Sequence, residues 1–398
     1  MSKITVTRTV KMPDIMRISR YERAPELGPR ILFFSGGTAL NEISRVLKKF
    51  THNSTHLITP FDSGGSSAVL RDAFNMPAIG DLRSRLMALA DETISGQPQI
   101  FQLFAHRLPA TGKHKDLLAQ LQAIVDGKSP HITAIKNPMR RVIRHHLEMF
   151  LRAMPDKMDL CGASIGNLIL AGGYLSTTSR QLDQVVFMFS KLVNVQGYVS
   201  AIVDDTLHLA AQLGNGETVI GQHLLTGKEV GRLTSPIVDF YLVDHLKNPK
   251  RVQTHVAKKQ RKLIRDVELI CYPPGSFYSS LAANLLPAGV GQAIADSPCP
   301  KVYAPGLGHD PERIGLNTGQ SIFRLLDILR RDAGQNCPTN RLLNFVLIDG
   351  ENGESLAPSV RKQLRKEGVT LIDTPLVMVQ SAPFYDPQLL VMALLSLV

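Results

Sequence analysis

Three times this chain repeats one local grammar: a short run of β-forming residues, then glycine and serine, then the three-and-four spacing of a helix. "ILFF" (31–34) runs into "SGGTAL" and "NEISRVLKKF", "THLIT" (55–59) into "PFDSGGSS", and "VELICY" (267–272) into "PPGSFYSS" and "LAANLL". Strands separated by helices cannot close as tight hairpins. They pair in parallel through crossovers, and the sheet that results carries helices on both faces. The later runs "KVYAP", "NFVLID" and "VTLIDTP" extend the same pattern, and "DLLAQLQAIV", "MRRVIRHHLEMFLRAM" and "SRQLDQVVFMFSKLVNV" have helical periodicity. Gly214, Asn215 and Gly216 mark a hairpin inside "LHLAAQLGNGETVIGQHLL". We expect an α/β fold with a Rossmann-like, mainly parallel sheet. Residues 1–28, with the alternating "ITVTRTV", read as an extension before one large domain, 29–398.

Such a chain, with 398 residues of which 44% are hydrophobic, can bury a large core. Its net charge of +11 favours anionic partners. Much of the charge lies in "HLKNPKRVQTHVAKKQRKLIRD" (245–266), where a contact with nucleic acid or an anionic membrane is one reading and a solvated helical face leading into a strand is the stronger one. The absence of tryptophan removes the best base-stacking residue, and no nucleic-acid partner is expected. Cys161, Cys271, Cys299 and Cys337 are too scattered for a zinc site and suit a reducing compartment. The N-terminus lacks an apolar signal core, and the longest apolar run, "LLVMALLSLV", is too short to span a bilayer. These features lead us to expect a cytoplasmic protein with no membrane contact.

The three glycine–serine loops stand where an open α/β sheet binds ligands, at strand ends that lead into helix N-termini. Glycine allows backbone N–H groups to approach an anion, hydroxyls add donors, and the helix dipole favours negative charge. A phosphate or diphosphate suits such loops. "SGGTAL" is neither a GxGxxG fingerprint nor a P-loop, and no single loop is diagnostic. Asp62 opens the second loop and Asp81 precedes a helix. Each is placed either to cap a turn or helix or to hold magnesium and orient a hydroxyl.

One rival motif is present. Gly162, Ser164 and Gly166 spell GxSxG, with Asp204, Asp205 and His309 available as partners. A nucleophile elbow needs a buried strand before its serine, and the polar, proline-broken "LRAMPDKMDLC" makes a poor one.

Taken in order, the segments resemble the CofD-like family, which contains 2-phospho-L-lactate transferase and YvcK-like gluconeogenesis factors. Gly36, Gly37, Thr38 and Ala39 resemble its GGTG; "FDSGGSSAVLR" resembles ADDGGSSGxLR, and "IGDLRSRLMALA" resembles PGDIRxxLxALA. "GASIGNLILA", "PPGSFYSSLAANLL" and "YDPQLLVMALLSLV" are similar to GHSLGNLLLA, GPGSLYTSxxPNLL and HDPxxLxxALL, so the likeness runs from 31 to 398. Among bacterial members the chain is most similar to the CofD-like proteins of GAK systems. The resemblance implies either magnesium-dependent transfer of a phospholactyl-type group from a nucleoside-diphosphate-linked donor to a hydroxyl, or regulation through a bound nucleotide sugar. Three departures bear on the choice: Ser63 replaces the second aspartate, Ala39 a glycine, and Pro273, the first of the Pro273–Pro274 pair, a glycine.

On that footing Gly36, Gly37 and Thr38, Gly64, Gly65, Ser66 and Ser67, and Gly275, Ser276, Tyr278 and Ser280 are expected to cradle the donor's phosphates. Asp62 is the expected magnesium ligand or acceptor-orienting base, with Asp81 beside it. Arg71 and Arg83 are candidates to neutralise charge on the leaving group, and Asn167 and Asn284 are candidate amides for reading base or sugar. The expected partner is a nucleotide or nucleotide sugar, and a homodimer is compatible with this reading.

Overall fold

The computed structural model describes residues 9–93, 96–227 and 231–398; the "ITVTRTV" stretch lies almost wholly outside them. Among the described residues eleven strands form two sheets: β1 (Ile31–Ser35), β2 (Thr55–Ile58), β3 (Tyr198–Ala201), β4 (His208–Leu213), β5 (Thr218–Ile220), β6 (Ile237–Val243), β7 (Arg251–Val252), β8 (Leu269–Tyr272), β9 (Lys301–Tyr303), β10 (Phe345–Ile348) and β11 (Thr370–Asp373). Seven of them form a sheet in the order β11-β10-β9-β8-β1-β2-β3, parallel throughout. The expected α/β architecture is present. All six β-runs named from the sequence lie in this sheet, and each predicted helix forms.

Strand β1 shows why the sheet must be covered twice. Leu32 and Phe34 enter one core with Tyr272, while Ile31 and Phe33 enter another with Leu269 and Cys271; none of the four β1 residues exposes any surface. A continuous apolar run of this kind marks a central parallel strand. The helix Ile15–Arg23, ahead of the sheet, buries Ile18 and packs against the last helix, Pro387–Leu395. The Asp14 N–H donates to Ser396 Oγ at 2.8 Å.

The crossover from β3 to β8 carries a second, antiparallel sheet, β5-β4-β6-β7, which the sequence reading anticipated only as the β4–β5 hairpin. Its apolar residues Leu209, Ala211, Phe240 and Leu242 pack into the core that holds Leu32 and Phe34. The basic stretch is mixed: β7 and a loop precede the helix Lys258–Arg265, and that helix buries Gln260 and Ile264. Two of its cations are paired, Arg251 with Asp239 and Lys259 with Asp183, both at 2.7 Å.

No strand precedes Ser164. Residues 155–163 form turns, and Ser164 is the buried N-cap of the helix Ile165–Ser176. Without an exposed serine on a strand end, the hydrolase elbow has no structural basis.

Candidate functional site

From β1 the chain moves outward through β2 and β3, returns on the other side as β8, and moves outward again through β9, β10 and β11. The switch point therefore lies between β1 and β8, where a doubly wound sheet opens its ligand crevice. A cleft is present at that place. It is lined by 34–40 at the end of β1 and beyond, by 273–276 and 279–281 after β8, and by Gln222 and Thr226, which begin and cap the short helix Gln222–Leu225 between β5 and β6. Gly36 is required by close approach, since a Cβ there would lie 2.8 Å from Ser280 Oγ. The first and third glycine loops thus form facing walls.

The second loop, after β2, adjoins them through the helix Gly80–Leu89. A Cβ on Gly80 would meet Ser67 Oγ at 2.7 Å and Asp62 Oδ2 at 3.6 Å, and one on Gly37 would lie 3.9 Å from Asp81 Oδ1. Asp62 Oδ1 accepts the Gly64 N–H at 3.1 Å, a local turn bond that leaves the other oxygen beside Ser67 and Gly80. Both aspartates therefore stand at the seams between glycine loops.

The arginines sit behind this surface. Arg71, 6% exposed, donates to the Asp62 carbonyl at 3.0 Å and the Leu207 carbonyl at 2.6 Å. Burial lowers its pKa to about 10, opposed by Asp62, so it stays charged at neutral pH. It braces the loop through backbone oxygens. Arg83 lies along Gly166 and reaches the Phe104 carbonyl at 3.4 Å. Sequence reasoning missed Arg85, which is wholly buried. Its guanidinium donates to Ser44 Oγ at 2.6 Å and to the Gly37 carbonyl at 3.3 Å. Burial brings its pKa down to about 9, opposed by the carboxylate of Asp81. The spacing of Leu82, Leu86 and Leu89 puts position 85 on the buried face, a signal present in the sequence.

Two other expected contacts fall outside the cleft. Tyr278 is fully buried, its ring edge-on to Phe240 and Phe277 and its hydroxyl 3.4 Å from the Ile237 carbonyl. Asn284, also fully buried, donates to the carbonyls of Ser35 at 3.0 Å and Ser280 at 2.8 Å, tying the end of β1 to the third loop. Asn167 donates to Ser66 Oγ at 3.1 Å and so supports the second loop.

The third loop differs from the expected phosphate cradle. It enters a wide, π-type turn, Phe277–Ala282, whose first amides already have acceptors. Phe277 N–H donates to Asp310 Oδ2 at 2.7 Å, and Tyr278 and Ser279 N–H donate to Glu312 Oε2 at 2.9 and 2.8 Å. Ser279 Oγ donates to Glu312 Oε1 at 2.5 Å. Of the residues expected to cradle phosphate here, Gly275, Ser276 and Ser280 line the cleft and Tyr278 does not. Burial, reinforced by the neighbouring Asp310 charge, pushes the Glu312 carboxyl up to about 7. A carboxyl whose folded pKa is raised contributes stability below its unfolded pKa and loses it as pH rises through the folded value. Wild-type protein should therefore lose about 2 kcal/mol between pH 5.5 and 8 relative to an E312Q variant. Urea unfolding at the two pH values checks this; parallel profiles would refute it.

Ser63 has a partner of its own. Its hydroxyl lies 2.8 Å from His223 Nδ1, and the His223 N–H reaches Ser63 Oγ at 3.3 Å, joining the second loop to the helix Gln222–Leu225. Ser63→Ala should cost about 1 kcal/mol in chemical denaturation, the usual worth of one such bond.

Fold and cleft together define a doubly wound α/β protein with an anion-suited crevice at its switch point. Residues 31–377 match the family model described as 2-phospho-L-lactate transferase CofD. The chain belongs to the CofD family. It is 29% identical over 299 residues to a putative gluconeogenesis factor of Thermoanaerobacterium thermosulfurigenes, covering 75% of this chain and 74% of that protein. It is 28% identical over 276 residues to the gluconeogenesis factor of Bacillus subtilis, covering 69% and 67%. A crystal structure of a UPF0052-family protein from Bacillus halodurans shares the fold, with a TM-score of 0.63 at 24% identity over 92% of this chain and 99% of the other.

Proposed function

We propose that the switch-point cleft binds the diphosphate of a nucleotide-linked ligand and that the protein transfers a phosphoryl-linked group from it to a hydroxyl acceptor. The observation that carries this reading is the meeting of the Gly36–Thr38 and Gly275–Ser280 loops across the β1/β8 reversal, with Asp62 and Asp81 at their margin. In the reaction, the acceptor oxygen attacks phosphorus, the bond to the leaving nucleoside monophosphate breaks, and the hydroxyl proton passes to Asp62. Positioning and electrostatics supply most of such catalysis.

The donors fit magnesium. Asp62, Asp81 and nearby hydroxyls offer oxygen only, and this cation is commonly held by one or two carboxylates together with ligand phosphates. Among the described residues no three His, Cys, Asp or Glu side chains converge on a metal-sized site, so the cation would be shared with the ligand. Bound there, it would neutralise charge developing on the transferred phosphoryl oxygens.

A second reading, a regulator that binds a nucleotide sugar without turnover, is favoured by Ser63. Where the family motif has a second aspartate, this chain has a hydroxyl bonded to His223. Incubation with magnesium, nucleotide-diphosphate-linked donors and a deazaflavin or related hydroxyl acceptor separates the two. Release of nucleoside monophosphate supports the transferase; saturable binding without turnover leaves the regulator. A thermal midpoint unmoved by every nucleotide and by phosphate would remove both.

A further inference from the structure

A trough of about 520 Å³ opens between the helices His114–Val125 and Met139–Ala153 and shares no lining residue with the switch-point cleft. Helical spacing produces it. Ile143, Leu147 and Phe150 turn the inner face of the second helix into the core, where it packs on Ile165–Ser176. Arg141, Arg144, His145, Glu148 and Arg152 recur on the outer face at steps of three and four residues and line the trough. From Arg141 to Arg152 that face rises about 16 Å. Val125 and Leu151 add apolar surface within it.

The charges do not cancel. Asp126 accepts from Gln122 Nε2 at 2.8 Å and pairs with Lys128 at 3.1 Å, and Glu148 pairs with Arg152 at 2.6 Å. Both carboxylates of the trough are thereby engaged. Among the described residues Arg141 and Arg144 form no ion pair within 4.0 Å, and Arg144 acts on Asp126 only at longer range. Arg144 is nonetheless fixed. Its Nε donates to the Val125 carbonyl at 2.6 Å, and its guanidinium carbon lies 3.3 Å from where a Cβ on Gly127 would stand. Residues three apart on one helix stand about 5–6 Å apart at Cβ. These two guanidiniums can therefore grip neighbouring carboxylates, whose geometry the guanidinium fork matches.

The shape narrows the occupant. Arg141, His145 and Arg152 are exposed, so the trough lies open to solvent, whereas a small-molecule site buries most of its ligand. Its length matches about five residues of extended chain at about 3.3 Å each. No Phe, Tyr or Trp lines it, which leaves nucleic-acid bases without a stacking platform.

We infer that this trough docks an acidic segment of a partner protein, with carboxylates on Arg141 and Arg144 and an apolar side chain against Val125 and Leu151. The inference is independent of what the cleft binds.

Fluorescence anisotropy of the whole chain with a labelled Glu-Glu-Leu-Glu-Glu peptide tests it. Wild type should bind this peptide saturably at low salt and Gln-Gln-Leu-Gln-Gln roughly tenfold more weakly, and added salt should loosen the acidic peptide. Arg141→Glu should lose roughly tenfold or more, about 1.4 kcal/mol. Arg141 is exposed and outside any ion pair, so this variant should keep the wild-type thermal midpoint. Lys262→Glu, on the exposed face of the basic helix Lys258–Arg265, should bind as wild type does and controls for general attraction to a basic surface. No saturable binding, equal binding of the glutamine peptide, wild-type affinity in Arg141→Glu, or an equal loss in Lys262→Glu would each overturn the inference. Complete displacement of the peptide by millimolar inorganic phosphate would overturn it in favour of a small-anion site. Self-association of wild type in sedimentation, abolished by Arg141→Glu, would overturn it in favour of a second copy of this chain.

Discussion

Asp62→Asn should lower turnover by about 10²–10⁴-fold, the usual contribution of a positioned acid or base. Asparagine can still accept the Gly64 N–H through its side-chain oxygen, so the loop turn seen at 3.1 Å should persist. What is lost is charge and basicity. Nucleotide affinity measured without magnesium should therefore stay close to wild type while magnesium-dependent release of nucleoside monophosphate collapses. An Asp62→Asn protein with full turnover would remove that residue from the chemistry.

Asn284→Leu should destabilise the fold by roughly 3 kcal/mol. The change leaves the Ser35 and Ser280 carbonyls without their shared amide, and each unsatisfied buried acceptor costs about 1–3 kcal/mol. The effect should not stop at stability. Asn284 joins the two walls of the cleft, so nucleotide binding should weaken even where the variant is still folded. Urea unfolding with titration well below the midpoint tests both; a loss under 1 kcal/mol with unchanged affinity would show that the bridge is dispensable.

Much of the sheet could be read from sequence because its strands are local events, short β-rich runs broken by glycine. The loops at 36–38, 64–67 and 275–280 were legible for the same reason. What escaped depends on long-range partners. Glu312 reaches the third loop from 33 and 34 residues away, and His223 reaches Ser63 across 160, and no local pattern announces either. Tyr278 and Asn284 show a finer limit. A glycine–serine loop can be recognised from composition, but which of its residues face the ligand depends on the turn it enters. In the π-type turn Ser276 and Ser280 face the cleft, while Tyr278 faces Phe240. The antiparallel sheet was only half visible, since β6 and β7 lack the glycine punctuation that exposed β4 and β5.

The crossover from β3 to β8 does more than carry the second sheet, because its short helix Gln222–Leu225 supplies one side of the cleft. Gln222 and Thr226 reach the cleft from inside one long crossover, whereas Gly36–Thr38 and Gly275–Ser280 belong to the parallel sheet itself. The sides of the cleft thus come from well-separated stretches of the chain. Substitution at Gln222 or Thr226 can therefore reshape one side of the cleft while the loops of the parallel sheet that form the other sides stay as they are.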